Sequence, residues 1–287
     1  MLHYAQHPAP PDLRPWVRLV WTMAVEDEPA ERVPHIADTA ELVVPDGHAE
    51  LIFNIGQPFC QLAPGHDHFR MQPAAILNGQ LRRSVMLRST GGVQLVGIRL
   101  QPWALGALAR VSALSLTDNW QPTDSIASRL LPNLEDALRH NCRADAAPQI
   151  VVQHLRAELR SMKVPKPRVV SVVSHVANCA SSLDLAAIRR NVGLSERSMQ
   201  RMFDAEVGLT TKQFAKVLRV QRVVQLRRMN ARVTWARAAI DAGYYDQSHF
   251  NKDFRSVVGC APTALMTEPD SFTGSLLATD DERAPRK

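Results

Sequence analysis

The chain has 287 residues, 45% of them hydrophobic, which is enough for two domains with apolar cores and excludes a disordered chain. No apolar run reaches the roughly 18–20 residues of a membrane span, and the N-terminus lacks the pattern of a signal peptide. We therefore expect a cytoplasmic protein with no membrane partner. The net charge of +6 is uneven, because residues 165–270 carry 16 Lys and Arg against 9 Asp and Glu, whereas residues 1–164 carry 15 against 16. Such a basic region is typical of a polyanion-binding surface.

The first hundred residues predict a β-rich domain. Short runs bounded by Pro, Asp and Gly predict strands, and residues 89–92 predict a hairpin loop between two of them. Strands this short favour a barrel or a sandwich over a parallel sheet. The predicted strands cover residues 17–25, 41–44, 49–56, 84–88 and 93–100.

Helical patterns follow at residues 103–111, 128–140 and 148–162. The last could mediate a homodimer or simply pack on its own domain. The sequence Val164-Pro165-Lys166-Pro167 cannot continue a helix, so it predicts a domain boundary. The result is an α+β two-domain chain. Its predicted parts are a β-rich sensor or dimerisation domain at 1–164, an all-helical domain at 165–267 and a mobile tail at 268–287.

The helical region contains an internal repeat. The spacing Ser195-x7-Phe203-x4-Gly208 recurs 51 positions later as Asp246-x7-Phe254-x4-Gly259. Ser and Asp are favoured helix N-caps and Gly is a favoured helix stop, and a shorter helical pattern ending in Gly precedes each unit. The pattern predicts two helix-turn-helix units.

Each second helix of the repeat has a polar edge at its N-terminal turns. Arg pairs with guanine and Gln or Asn with adenine, while Lys and Ser suit bases or phosphates. A recognition helix reads bases with this end. The candidate DNA-contacting residues from this pattern are Arg197, Ser198, Gln200 and Arg201 in the first unit, and Gln247, Ser248, Asn251 and Lys252 in the second.

A basic helical pattern at residues 210–230 joins the two units. Twenty residues of helix span roughly 30 Å, close to the ~34 Å between successive major-groove faces of one side of a duplex. Double-stranded DNA is therefore the predicted partner. A protein-binding role for the two units is the alternative, and a steep loss of affinity with salt would favour DNA.

Residues 168–266 resemble the DNA-binding domain of AraC/XylS-type transcription regulators. The stretches LAAIRRNVGLSERSMQRMF and AGYYDQSHFNKDFRSVVGCAP carry the resemblance. It implies a seven-helix domain with two helix-turn-helix motifs and phosphate contacts at Ser198 and His249. The base contacts that it implies are Arg197, Gln200, Arg201, Gln247, Ser248, Asn251 and Lys252. Cys260 and Met266 depart from the usual residues. Activation through RNA polymerase is implied, with repression as the alternative.

The segment 44–56 is more loosely similar to a domain that precedes this module in some family members. That resemblance implies effector binding or dimerisation, often on a cupin-type barrel. Aromatic residues and a carboxylate suit a small-molecule pocket, although each could equally fill the core. The candidate effector contacts are Trp21, His35, Glu50, Phe53 and Trp103.

The sequence contains no recognisable catalytic motif, so no enzyme activity, catalytic residue or cofactor is predicted. The histidines at positions 35, 48, 66 and 68 are interpreted as solvated rather than as metal ligands. A DNA-repair alkyltransferase fused to the same module is the enzymatic alternative, but it would need clustered cysteines. The four cysteines of this chain are dispersed.

Overall fold

The computed structural model describes residues 2–25, 40–123, 133–140, 145–160, 162–180 and 184–265. A β-rich part is followed by a helical part, which confirms the predicted α+β two-domain fold class. The boundary after residue 164 stays a prediction. The tail at 268–287 lies outside the described residues.

Two antiparallel sheets make up the β-rich part. All five predicted strands are present, and sequence reasoning missed the others. The six-stranded sheet has the order β1-β2-β9-β4-β7-β10 and the four-stranded sheet the order β3-β8-β5-β6. The strands are β1 (Leu2–Pro8), β2 (Val17–Val25), β3 (Glu41–Val43), β4 (Glu50–Asn54), β5 (Phe59–Leu62), β6 (Arg70–Met71), β7 (Ala75–Asn78), β8 (Val85–Ser89), β9 (Gln94–Leu100) and β10 (Trp120–Pro122).

The predicted hairpin around residues 89–92 is wrong, because β8 and β9 belong to different sheets. β8 pairs with β3 and β5, whereas β9 pairs with β2 and β4. The loop crosses between the sheets and packs on the preceding chain, where the amide of Gln57 donates to the carbonyl of Gly92 at 2.9 Å. A Cβ on Gly56 would lie 2.3 Å from that carbonyl oxygen, so the glycine allows close packing there.

The outer face of the larger sheet packs against three helices, α1 (Leu105–Ala109), α2 (Leu134–His140) and α3 (Ala147–Leu159). Helix α3 buries Val151, Leu155 and Leu159 in this core. It therefore packs on its own domain through that face, and its role in a homodimer stays a prediction.

The helical part contains six α-helices and a closing 3₁₀ turn within the described residues. None of the helices in the described ranges is long and apolar enough to cross a membrane. The elements are α4 (Pro167–Asn178), α5 (Leu185–Val192), α6 (Glu196–Glu206), α7 (Thr211–Met229), α8 (Trp235–Asp241), α9 (Gln247–Val258) and the 3₁₀ turn Pro262–Ala264.

The β-rich part contacts the C-terminal ends of α6 and α9. Thr117 Oγ1 donates to the carbonyl of Gly208 at 2.5 Å, just after α6. At the end of α9, the carbonyl of Val257 accepts from the amide of Ser84 at 2.7 Å. The side chain of Val44 is buried within the helical core. These contacts fix the helical part against the sheets and leave the opposite ends of α6 and α9 away from the sheets.

Candidate nucleic-acid interface

The two helix-turn-helix units, α5–α6 and α8–α9, begin their second helices in the same way. Ser195 Oγ accepts from the amide of Ser198 at 3.2 Å, and Asp246 Oδ1 accepts from the amide of His249 at 2.7 Å. Both N-caps have extended backbone, which turns the chain into the helix. The predicted caps are confirmed, and the two helices start in equivalent geometry.

Each of these helices buries one face and exposes the other. Met199 and Phe203 of α6, like Phe250 and Phe254 of α9, are buried. Six candidate DNA-contacting side chains are exposed or half-exposed and make no hydrogen bond or ion pair with any described residue. These are Arg197, Arg201, Gln247, Ser248, Asn251 and Lys252. Side chains in this state can bind an external partner without breaking an internal bond.

The other three candidates have internal partners. Gln200 Nε2 donates to Asp204 Oδ1 at 2.6 Å, which holds the amide on the surface of α6. The Ser195 hydroxyl donates to Ser198 Oγ at 2.9 Å. His249 Nε2 lies 3.5 Å from the Asp253 carboxylate. Their contacts fix their orientation, and the assignment of all nine residues to DNA stays a prediction.

Helix α7 is the rigid connection between the two units. It is 19 residues long, and it begins with a capping box in which the side chain of Thr210 caps the Gln213 amide and that of Gln213 caps the Thr210 amide. At 1.5 Å per residue its length is about 28 Å. Phe214, Val217 and Val224 bury its inner face. The predicted basic spacer is therefore confirmed as one continuous helix.

Sequence reasoning missed two features of the second unit. Tyr245 lies in the turn before α9 and is 96% exposed, while its neighbour Tyr244 is buried. Asp253 is buried on the inner face of α9. Its position between Phe250 and Val257, three and four residues away, could have revealed that it faces inward.

The candidate effector residues do not all come together. Trp21 and Glu50 line a cavity of about 50 Å³ between the two sheets. Phe53 lies in the core on the outer face of the larger sheet, and Trp103 packs toward the helical core with its Nε1 donating to the Pro15 carbonyl at 2.9 Å. His35 lies outside the described residues. The structure thus gathers two of the five.

Glu50 is the charged group of the inter-sheet cavity. Trp21 Nε1 donates to its Oε1 at 3.1 Å and Arg99 Nε donates to the same atom at 2.8 Å. Burial raises the pKa of the Glu50 carboxyl, and the neighbouring guanidinium opposes this shift. The buried oxygen Asn54 Oδ1, on the same cavity, has no partner among the described residues. The lining thus favours a molecule that donates hydrogen bonds.

A larger cleft of about 520 Å³ lies between the β-rich part and the helical part. Arg82, Arg83 and Lys216 line it, and Asp118 neutralises Arg82 at 2.6 Å. Small-molecule sites commonly have volumes of roughly 300–1,000 Å³, so this cleft has the size of a ligand site and the inter-sheet cavity does not.

Metal binding finds no support in the described part of the chain, where no three His, Cys, Asp or Glu side chains gather at a metal-binding distance. In the loop after β5, His68 Nδ1 instead contacts Asp67 at 2.7 Å.

Two families of known proteins match this chain, one in each of its two parts. Residues 188–268 match a family described as a helix-turn-helix domain, and residues 5–122 match a domain of unknown function (DUF6597). No curated protein sequence matches the chain.

Several solved structures show similarity to this chain at low identity. ToxT from Vibrio cholerae is 9% identical, with a TM-score of 0.46 over 92% of this chain and 96% of that one. ToxT with a bound unsaturated fatty acid, from strain SCE256, is 9% identical, with a TM-score of 0.41 over 91% and 92%. The AraC-like transcriptional activator CuxR is 11% identical, with a TM-score of 0.29 over 84% and 90%.

The class of protein follows from the two helix-turn-helix units and the domain match. This chain is a DNA-binding transcription regulator with a β-rich domain before its helix-turn-helix domain. The matched helix-turn-helix domain supports the predicted AraC-type module in this part of the chain.

Proposed function

We propose that the protein reads a specific DNA sequence by placing α6 and α9 in two successive major grooves on one side of the duplex. The observation that carries this proposal is the equivalence of the two helices. Both are capped alike and both expose unpartnered polar side chains at their N-terminal turns. Helix α7 lies between them in the chain, and its length of about 28 Å is close to the ~34 Å between successive major-groove faces.

The proposal predicts that each base-reading side chain determines the base preference at one position of the DNA site. Arg201→Ala and Lys252→Ala should each cost about 1–3 kcal/mol of binding free energy and relax the base preference at one place. The places should lie in different halves of the site, since the residues belong to different helices. The measurement is enrichment of a random-sequence duplex pool by the full chain, followed by binding of the enriched duplex across a salt series.

A matched control is Lys163→Ala, which removes an exposed positive charge that belongs to neither helix. It should leave the base preference unchanged. If the full chain enriches no sequence, or if both variants keep the original preference at every position, the proposal is wrong.

We also propose that the β-rich part controls DNA binding in response to a small molecule and that the bound protein activates transcription by contacting RNA polymerase. Contacts between this part and both reading helices support such coupling. Because the inter-sheet cavity is too small for a typical ligand, a small metabolite found in a thermal-shift screen should bind in the larger cleft. A ligand of the larger cleft should lose its effect in Arg83→Ala.

A reporter assay in cells measures whether the bound protein activates or represses transcription. Repression would contradict the proposed activation.

A further inference from the structure

A buried carboxylate lies beneath the first turns of α9. The Asp253 side chain is 8% exposed, and its two oxygens lie 3.4 Å from Lys216 Nζ and 3.4 Å from Arg219 Nη2. The Tyr244 hydroxyl lies 3.4 Å from Oδ2, and His249 Nε2 lies 3.5 Å from the same oxygen. Four donors from α7, the turn before α9 and α9 itself thus converge on one residue.

The aromatic contacts of this cluster hold the His249 ring on a second side. Tyr244 and His249 meet edge to face, with ring centroids 5.2 Å apart. The Arg219 guanidinium lies over the Tyr244 ring at 4.9 Å from its centroid, which holds the tyrosine in place. The imidazole therefore has one defined orientation, with Nε2 toward Asp253 and Nδ1 on the other edge of the ring.

His249 combines this fixed ring with access to solvent. Its side chain is 45% exposed, and Nδ1 has no hydrogen-bond partner among the described residues. The residue lies in the first turn of α9, beside Gln247 and Ser248. A phosphate oxygen and the Asp253 carboxylate both only accept hydrogen bonds, so an imidazole that donates to both at once, from Nδ1 and from Nε2, must carry a hydrogen on each nitrogen.

The first helix-turn-helix unit has no such cluster. The positions 51 residues earlier hold Met202, Ser198 and Gly193 in place of Asp253, His249 and Tyr244. Both units nevertheless form the same helix-turn-helix geometry. Folding of a unit of this kind therefore does not require the cluster, and its purpose is specific to the second helix.

We propose that Asp253 is a positioning residue for DNA recognition, and that together with Tyr244 it holds the His249 imidazole against one DNA phosphate at the edge of the half-site read by α9. The proposal rests on the proposed function and adds the mechanism of one contact. Lys216 and Arg219 neutralise the carboxylate, which removes a negative charge that would otherwise lie close to the backbone of the DNA.

The test uses the full chain and the duplex that it enriches from a random pool. Each phosphate of that duplex is replaced in turn by a neutral methylphosphonate, and the affinity is measured for every replacement. With the unaltered chain, replacing one phosphate that flanks the α9 half-site should lower the affinity about tenfold, as expected for a charge-assisted hydrogen bond. In His249→Gln and Asp253→Asn, replacing the same phosphate should lower the affinity no more than twofold. Replacing any other phosphate should lower it as much as with the unaltered chain.

Two further variants separate positioning from folding. Tyr244→Phe keeps the ring contacts with Arg219 and His249 and removes only the hydroxyl, so it should reduce the effect at the same phosphate only partly. Asp241→Asn makes the same chemical change as Asp253→Asn at an exposed ion pair with Arg237 in α8, and it should leave the whole profile unchanged. Thermal unfolding confirms that each variant is folded.

The outcomes distinguish a failure of this inference from a failure of the proposed function. If the chain enriches a sequence but Asp253→Asn weakens binding equally at every phosphate, Asp253 is only structural and this inference is wrong. The same holds if the His249→Gln profile equals that of the unaltered chain. If no sequence is enriched, the proposed function fails and this inference fails with it.

Discussion

Arg99 is a buried cation, 2% exposed, that joins two carboxylates of the β-rich part. Its Nε donates to Glu50 at 2.8 Å and its Nη2 to Asp46 at 3.0 Å. Removing one partner of a buried pair leaves the other charge without compensation. The residue therefore determines whether Glu50 can remain ionised between the sheets.

Arg99→Met should lower the free energy of unfolding at pH 7 by about 3–5 kcal/mol. Because burial raises the pKa of Glu50, the folded variant takes up a proton as the pH falls, so the loss should be smaller at pH 5. Urea unfolding of the full chain at both pH values measures this. Arg83→Met, at an exposed position, is the control and should change little. An equal loss at both pH values would contradict the role given to Glu50.

At the scale of single residues, the sequence predicts exposure better than contact. The polar edge of α9 could be predicted because buried aromatic residues at helical spacing leave only one face free. The partners of Asp253 could not, since Lys216 and Arg219 come from a helix more than thirty positions earlier in the chain. Trp21 and Glu50 come together because their strands, β2 and β4, both pair with β9.

The helices of the second part begin where their caps place them, and this can be tested. Asp246→Ala and Ser195→Ala should each lower the free energy of unfolding by about 0.5–2 kcal/mol, because the His249 and Ser198 amides lose their acceptors. Thermal unfolding is the measurement. Asp246→Asn keeps an acceptor and is the matched control. If it costs as much as Asp246→Ala, the charge of Asp246 matters and the cap does not.

At the scale of elements, local patterns predicted α7 and the strand Val17–Val25 to within a residue or two. They did not predict which strands pair. The runs that form β8 and β9 are adjacent in sequence and separated by glycines, which is the pattern of a hairpin. Packing of the loop against residues 55–57 sends the two strands to different sheets, and this depends on contacts distant in sequence.

The two parts of the molecule fit closely at Gly106. A Cβ at this position would lie 2.0 Å from the carbonyl oxygen of Ala205, near the end of α6. Ser112 Oγ strengthens the same contact by donating to the carbonyl of Asp204 at 2.9 Å. The sequence marks Gly106 only as a glycine within a short helix, so this contact could not be predicted.

Gly106→Ala should push α1 away from α6 and cost about 1–3 kcal/mol of stability. It should also alter the base preference in the half-site read by α6 more than in that read by α9. Thermal unfolding and enrichment from a random duplex pool measure the two effects. Gly92→Ala, where an added Cβ meets no atom within 4 Å, is the control. Equal changes in both half-sites would mean that the contact does not act on α6 in particular.

Because α6 and α9 are attached at their C-terminal ends, a tilt of either helix moves its N-terminal end the most. Loops and a short helix of the β-rich part hold one end, and the side chains proposed to meet the bases lie at the other. A helix of 12 residues is about 18 Å long, so a tilt of about 5° at the held end moves the free end by roughly 1.5 Å. A displacement of that size breaks hydrogen bonds to base edges. A small displacement of the contacts between the β-rich part and these two helices would therefore be enough to change which sequence is bound.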